Sequence, residues 1–142
     1  MKENHYKLKG YLSTNKSNYN LKAHLILVCQ YRKKLLVGDV AIFIKSVVEE
    51  IEESSDFIII ARQTNKDHLH LMIEYLPRVS ISFIIMQIKG MTTYRVWREP
   101  RFIPFLRKHF WKEQKFWTDG FFACSIGEAN PETIKRYIEN QG

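Results

Sequence analysis

Apolar and polar positions along the chain fall into alternating runs of strand and helix character. From Leu21 to Tyr31 the residues become apolar and β-branched, which predicts a first core strand. From Asp39 to about Ser54, Ile44, Val47, Val48 and Ile51 recur at the three-and-four spacing of one buried helical face, with Asp39 as the predicted cap. Phe57 to Thr64 is a strongly apolar strand. Asn65-Lys66-Asp67 reads as a tight turn into a second strand, His68 to Leu76, so the two predict a hairpin. Pro77 stops that strand, and Ser80 is placed to cap a helix to about Arg98, with Ile81, Ile84, Ile85 and Ile88 among its apolar positions. Pro100 and Pro104 predict a loop, and Phe121 to Ile126 a last strand. Asn130 as cap and Pro131 at the first helical position open a tail helix through Gln141. Residues 1–20 are polar and rich in Asn, Lys and Tyr, and read as a loose arm or an irregular strand.

The order strand, helix, strand, strand, helix, strand, tail helix predicts an α+β fold of ferredoxin-like, split βαβ type. In that arrangement an antiparallel sheet carries its crossover helices on one face and leaves the other face free for a site. A chain of 142 residues, 45% hydrophobic and without repeats or linkers, suits a single domain over residues 1–142.

Composition narrows the classes. No stretch reaches the ~18 apolar residues of a membrane helix, and the first residues do not resemble a secretory signal, so a cytoplasmic protein is expected. Cys29 and Cys124 lie in apolar runs and read as reduced core residues. Twenty-two Lys and Arg against fifteen Asp and Glu leave +7, an excess that favours polyanions. The excess concentrates between Lys89 and Lys115, where Arg95, Arg98, Arg101, Arg107, Lys108 and Lys112 alternate with Tyr94, Trp97, Phe102, Phe105, Phe110 and Trp111. Cations interleaved with aromatic faces are how single strands are held, although the same aromatics also suit a core. Glu49, Glu50, Glu52 and Glu53 read as a solvated helix face.

Asp67-His68-Leu69-His70-Leu71 carries the candidate chemistry. In a strand, His68 and His70 share one face while Leu69, Leu71 and Ile73 line the other. Two imidazoles side by side can hold one divalent cation, and the same pattern also fits two half-exposed strand histidines. In the tail, Tyr137 and Gln141 are one helical turn apart on one face, beside the apolar stripe of Ile134 and Ile138. A phenol can act as nucleophile and a carboxamide oxygen as metal ligand, and a tyrosine there can equally serve packing.

Taken together the two clusters resemble a known family. His68-Leu69-His70 resembles the HUH signature, His-hydrophobe-His, of enzymes that nick and rejoin single-stranded DNA. Tyr137 followed four residues later by Gln141 resembles the tail of the single-tyrosine transposases of bacterial insertion sequences, the TnpA type. The likeness covers nearly the whole chain. His24 to Arg32 is similar to the family's first-strand motif, and Lys89-Gly90-Met91-Thr92-Thr93 to its Lys-Gly-x-Ser-Ser. Phe116 to Phe122 is similar to Trp-Ser-x-Gly-Tyr-Phe, and Ser125-Ile126-Gly127 to Ser-Val-Gly. Thr92 and Thr93 replace serines and keep the hydroxyl. Ala23 stands where an aromatic is common, and the chain stops one residue after Gln141, sooner than its relatives.

The resemblance implies that His68, His70 and Gln141 hold one divalent ion, magnesium or manganese, with manganese favoured by the imidazoles and no nucleotide cofactor needed. It implies that Tyr137 attacks the phosphorus, keeps the 5′ phosphate as a phosphotyrosine and releases a 3′-hydroxyl. A homodimer is implied, in which the tail helix can serve the partner's histidines, with Gly127 to Asn130 as its hinge. The implied partner is single-stranded DNA with hairpins at element ends, in the bacterial nucleoid. Lys89, Arg95 and Arg98, with Arg32 and Lys33, are the candidate DNA contacts. His24 is expected to be a hydrogen-bonded strand histidine near the site rather than a third ligand. Three alternatives stand beside this reading: a domesticated or repeat-associated relative, a non-catalytic single-strand-binding module, and a hydrolase that uses His68 and His70 to activate water.

Overall fold

The computed structural model describes residues 6–8, 11–13, 18–19, 21–125 and 131–141. Three short antiparallel strands come first: β1 (Tyr6–Leu8), β2 (Tyr11–Ser13) and β3 (Asn18–Tyr19), forming a small sheet in that order. Within residues 1–20, expected as a loose arm or an irregular strand, the described residues form these three strands. The main sheet contains β4 (Lys22–Val28), β5 (Phe57–Thr64), β6 (His68–Tyr75) and β7 (Phe122–Ser125). Its order is β5-β6-β4-β7, with every neighbouring pair antiparallel. This is the ferredoxin-like arrangement that the element order predicts.

Alternation along the strands explains why one face is the core. Ala23, Leu25 and Leu27 of β4 and Leu69, Leu71 and Ile73 of β6 are buried in it. Against them pack α1 (Gly38–Glu53), through Val40, Ile44, Val47, Val48 and Ile51, and α2 (Ile81–Val96), through Ile84, Ile85, Ile88 and Val96. Burying one such side chain contributes roughly 1.5–3 kcal/mol, so these two stripes hold both helices on the same face.

Helix boundaries follow local chemistry. Ser80 caps α2 as predicted, its Oγ accepting the Phe83 N–H at 3.0 Å. Asp39 does not cap α1. The helix starts at Gly38, whose φ of +53° suits only glycine at low cost, behind Val37, which gives no side-chain cap; Asp39 lies in the first turn, where its charge faces the helix dipole. The first core strand ends at Val28, and Gln30–Arg32 form a 3-10 turn instead of continuing to Tyr31. The prolines at 100 and 104 do not make a plain loop: Pro100–Phe102 is a 3-10 turn and α3 (Ile103–Arg107) follows, each with its proline in the first turn, where the missing N–H costs nothing. The tail helix α4 runs Pro131–Glu139, two residues short of Gln141. The expected cap Asn130, the hinge 127–130 and Ile126 lie outside the described residues.

The basic-aromatic segment is largely interior. Trp97, Phe102 and Phe110 are buried, leaving Tyr94 and Trp111 as exposed rings. Cys29 is buried, and burial pushes its thiol up to about 12. Cys124 is half-buried on the opposite sheet face, outside the core where it was expected. Among the described residues no helix is long and apolar enough to cross a membrane.

Candidate active site

The face opposite α1 and α2 carries His24, Ile26 and Val28 of β4, His68, His70 and Met72 of β6, and Phe122 and Cys124 of β7, all in register. Phe122, Ile26 and His70 occupy one row. The tail helix lies across this face. The Tyr137 ring stands 5.6 Å from that of Phe122, and the Arg32 guanidinium donates to the Glu139 carbonyl at 3.3 Å. Ile26 and Val28 are consequently fully buried, although they point away from the main core.

On the β6 side, His68, His70 and Gln63 face Lys135, Ile138 and Glu139 across a cleft of about 530 Å³. The strand period thus brings the two predicted histidines together. His68 Nδ1 lies 2.9 Å from Oδ1 of Asp67. His70 Nε2 lies 2.9 Å from Nδ1 of His24, a diagonal neighbour on the adjacent strand, as expected of a hydrogen-bonded strand histidine. Burial, with His24 and His68 nearby, pushes the His70 pKa below its ordinary 6.5, so its ring is neutral near pH 7.

Among the described residues no three His, Cys, Asp or Glu side chains converge as a ligand set. The two imidazoles therefore suit a cation only with a donor of another kind, such as a carboxamide. Gln141, the predicted donor, lies half-buried in the turn after α4, its N–H bonded to the Ile138 carbonyl at 3.1 Å. Gln141 is not among the residues that line the cleft, whereas Gln63, opposite His70 in the register, and Asn65 bring carboxamides to it.

Tyr137 sits on the β7 side of its helix. Its hydroxyl is buried without a hydrogen-bond partner among the described residues, and a Cβ on Gly120 would stand 3.7 Å from it. Burial raises the phenol pKa above 10, and the nearby Thr118 side chain offsets part of that rise. Tyr137 therefore lies over Phe122, and in the sheet below it Phe122 and His70 stand in one row two strand spacings, or about 10 Å, apart.

The predicted DNA contacts separate into different roles. The Lys89 ammonium donates to the carbonyls of Thr118 (2.7 Å), Asp119 (3.1 Å) and Gly120 (2.7 Å), which uses all three of its protons. Arg95 is paired with Glu50 at 2.6 Å. Arg98 lies 3.6 Å over the exposed Tyr94 ring, beside a groove of about 680 Å³ that Lys89 also lines. Arg32 reaches Asp67 as well as Glu139. Lys33 follows the 3-10 turn, close enough to His109 to join burial in lowering its pKa. The first hydroxyl of the Lys-Gly-Met-Thr-Thr motif is structural: buried Thr92 donates to the Ile88 carbonyl at 2.6 Å and accepts from Trp117 Nε1 at 2.8 Å. The sequence places Asp67 in the turn and at the head of the histidine segment, and the structure adds its contact with His68.

Known proteins share the sequence pattern and the fold. The model of the family described as "Transposase IS200 like" matches residues 17–141. The chain is 28% identical to the ISDra2 transposase TnpA of Deinococcus radiodurans, over 87% of its own length and 85% of that protein's. It is 22% identical to the transposase of insertion sequence element IS200 from Salmonella typhimurium, over 88% and 79% of the two chains. A crystal structure of a chain from Deinococcus radiodurans assigned as a transposase superposes with a TM-score of 0.79 at 26% identity, covering 91% of this chain and 96% of that one. A REP-associated tyrosine transposase bound to a REP hairpin shares the fold, with a TM-score of 0.56 at 12% identity, over 84% and 62% of the chains.

Proposed function

The chain belongs to the IS200-like transposase family, and from that premise we propose that it cleaves and rejoins single-stranded DNA with Tyr137 as nucleophile. The observation that carries this reading is the shared face: His68 and His70 open into a cleft roofed by the same helix that bears Tyr137. In the proposed reaction the Tyr137 oxygen forms a bond to phosphorus while the bond to the 3′ oxygen breaks. The phenol proton leaves with the exchange, a 3′-hydroxyl departs, and the 5′ phosphate remains on the tyrosine. One ester replaces another, so rejoining to a second 3′-hydroxyl needs no nucleotide cofactor.

His68 and His70, with Gln141 as third donor, would hold a magnesium or manganese ion, which when bound supplies positive charge to the scissile phosphate. Asp67 accepts the His68 Nδ1 proton, which leaves Nε2 as the lone-pair nitrogen of the neutral ring. The buried phenol must leave its seat beside Gly120 or lose its proton to a neighbour before it can attack. Action as a homodimer, with the tail helix serving its own or the partner's histidines, belongs to the same proposal. So does hairpin DNA as substrate, supported by the hairpin in the REP-associated relative. Arg98 on the exposed Tyr94 ring and Lys33 are the candidates best placed to meet DNA.

The test is incubation with hairpin-bearing single strands from the element ends and Mn²⁺ or Mg²⁺, followed by a denaturing gel. A covalent protein–DNA adduct that needs metal and disappears in Tyr137→Phe and His68→Ala supports the reading. Salt-sensitive binding without an adduct would replace it with a non-catalytic binding module, and free 5′ phosphates that survive Tyr137→Phe with a hydrolase.

A further inference from the structure

The cleft has a second layer that the proposed mechanism does not use. Tyr31 and Arg32 adopt consecutive left-handed conformations, with φ of 56° and 54°, although neither is glycine. Such residues are strained and persist only where the surroundings over-determine them. The surroundings here are visible. Cys29 N–H donates to the Asp67 carbonyl at 2.9 Å, Gln30 N–H to that of Phe116 at 2.8 Å, and Leu36 N–H to that of Lys66 at 2.9 Å. The turn is therefore clamped to the loop that precedes the histidines.

Its product is the place of one side chain. Arg32 Nε comes to 3.5 Å from Asp67 Oδ2, and its terminal nitrogen donates to the Glu139 carbonyl at the end of the tyrosine helix. The other oxygen of the same carboxylate meets His68 Nδ1 at 2.9 Å. An ionised carboxylate only accepts, so Nδ1 carries the proton and Nε2 keeps the lone pair. In that tautomer the Asn65 side-chain nitrogen, 3.5 Å from Nε2, faces the lone pair.

We propose that Asp67 is a positioning residue that fixes the His68 ring with Nε2 turned to the site, and that Arg32 locks this carboxylate to the end of the tyrosine helix. The inference rests on the reading of His68 as a metal ligand. It adds that ligand orientation and tail-helix docking are mechanically joined through Glu139, Arg32, Asp67 and His68. A salt bridge 39% and 22% exposed at its two side chains adds little stability by itself, so its value lies in geometry.

The test uses the full chain in two measurements. Long-range ¹H–¹⁵N correlation spectra of metal-free protein report the His68 tautomer, and Mn²⁺ titration followed by electron paramagnetic resonance reports affinity. The wild type is expected to show Nδ1–H at His68. Asp67→Ala is expected to shift the ring toward Nε2–H and to weaken Mn²⁺ binding about 10–100-fold. Asp67→Asn, whose amide oxygen still accepts, is expected to retain the tautomer and most of the affinity, which a purely structural role for the charge would not do. Arg32→Gln is expected to keep the tautomer while speeding amide exchange in residues 131–141. An Nε2–H tautomer in the wild type, or unchanged Mn²⁺ affinity in Asp67→Ala, overturns the Asp67 assignment. Unchanged tail-helix exchange in Arg32→Gln overturns the Arg32 half. If the wild type binds no Mn²⁺, the metal reading fails instead, and the tautomer spectra still decide the positioning claim.

Discussion

Lys89 Nζ stands 2.7 Å from the carbonyl oxygen of Gly120, the residue against which the Tyr137 hydroxyl lies. A lysine in the basic segment thus holds the floor beneath Tyr137. Charged hydrogen bonds of this kind contribute about 1.5–3 kcal/mol, which sets the expected loss in Lys89→Gln and a lower melting temperature. A phosphate contact would behave differently. It would leave melting unchanged and reduce the salt dependence of DNA binding by about one unit of slope. Arg98→Ala is expected to show that second pattern, and Lys89→Gln the first. Salt titrations of single-strand binding by both variants, beside thermal melts, separate the two roles.

A buried hydroxyl joins α2 to the segment beneath the tyrosine. Thr92→Val keeps the shape but removes the acceptor for Trp117 Nε1, leaving a buried N–H unpaired at a cost of about 1–3 kcal/mol. Thr92→Ser keeps the acceptor and should lose less. Urea unfolding checks this, with the midpoint expected to fall at constant slope.

Strands and caps were legible where one local signal decides them. Phe57 to Thr64 is a run of strand formers closed by a turn, and Ser80 carries its cap in its own hydroxyl. Asp39 misled because the decisive feature is the left-handed backbone of Gly38, which composition does not display. Trp97, Phe102 and Phe110 read equally well as stacking platforms or as core, and only tertiary packing assigns them to the core. His68 and His70 were legible because a strand alternates strictly. The links around them were not: His24 meets His70 across strands, and Arg32 reaches Asp67 only through two left-handed residues that no propensity favours.

His24 competes for the nitrogen that His70 would offer to a cation. Breaking one hydrogen bond costs about 0.5–1.5 kcal/mol, so His24→Phe is expected to tighten Mn²⁺ binding by a few-fold up to about tenfold. If His24 were a ligand, the same substitution would weaken binding. Calorimetric titration of Mn²⁺ into the two proteins decides by sign alone.

Acid should destabilise the fold through His70. Its folded pKa lies below the ordinary 6.5, so the unfolded chain takes up the proton first. The stability tied to its neutral ring is whole above pH 6.5 and is lost as the pH falls through the folded value. Melting temperatures from pH 7.5 down to 5 are expected to fall less steeply in His70→Gln than in the wild type. Parallel profiles would remove His70 from this role.

The seat of Tyr137 can be tested without DNA. Burial holds the Tyr137 phenol above its ordinary pKa of 10, so it remains protonated at neutral pH. Its contribution to stability is present below pH 10 and is lost as the pH climbs through the folded value. Gly120 supplies the space: a methyl there would meet the hydroxyl at 3.7 Å, an ordinary contact, whereas a ring would occupy the seat. Gly120→Ala is therefore expected to melt and titrate like the wild type. Gly120→Phe should drive the phenol into water. The measurement is phenolate absorbance against pH, with a Tyr137→Phe background subtracted from each protein. A midpoint above 10 in the wild type that returns to about 10 in Gly120→Phe places the resting tyrosine beside Gly120. A midpoint near 10 in both would show that the tail helix does not shelter its tyrosine before DNA arrives.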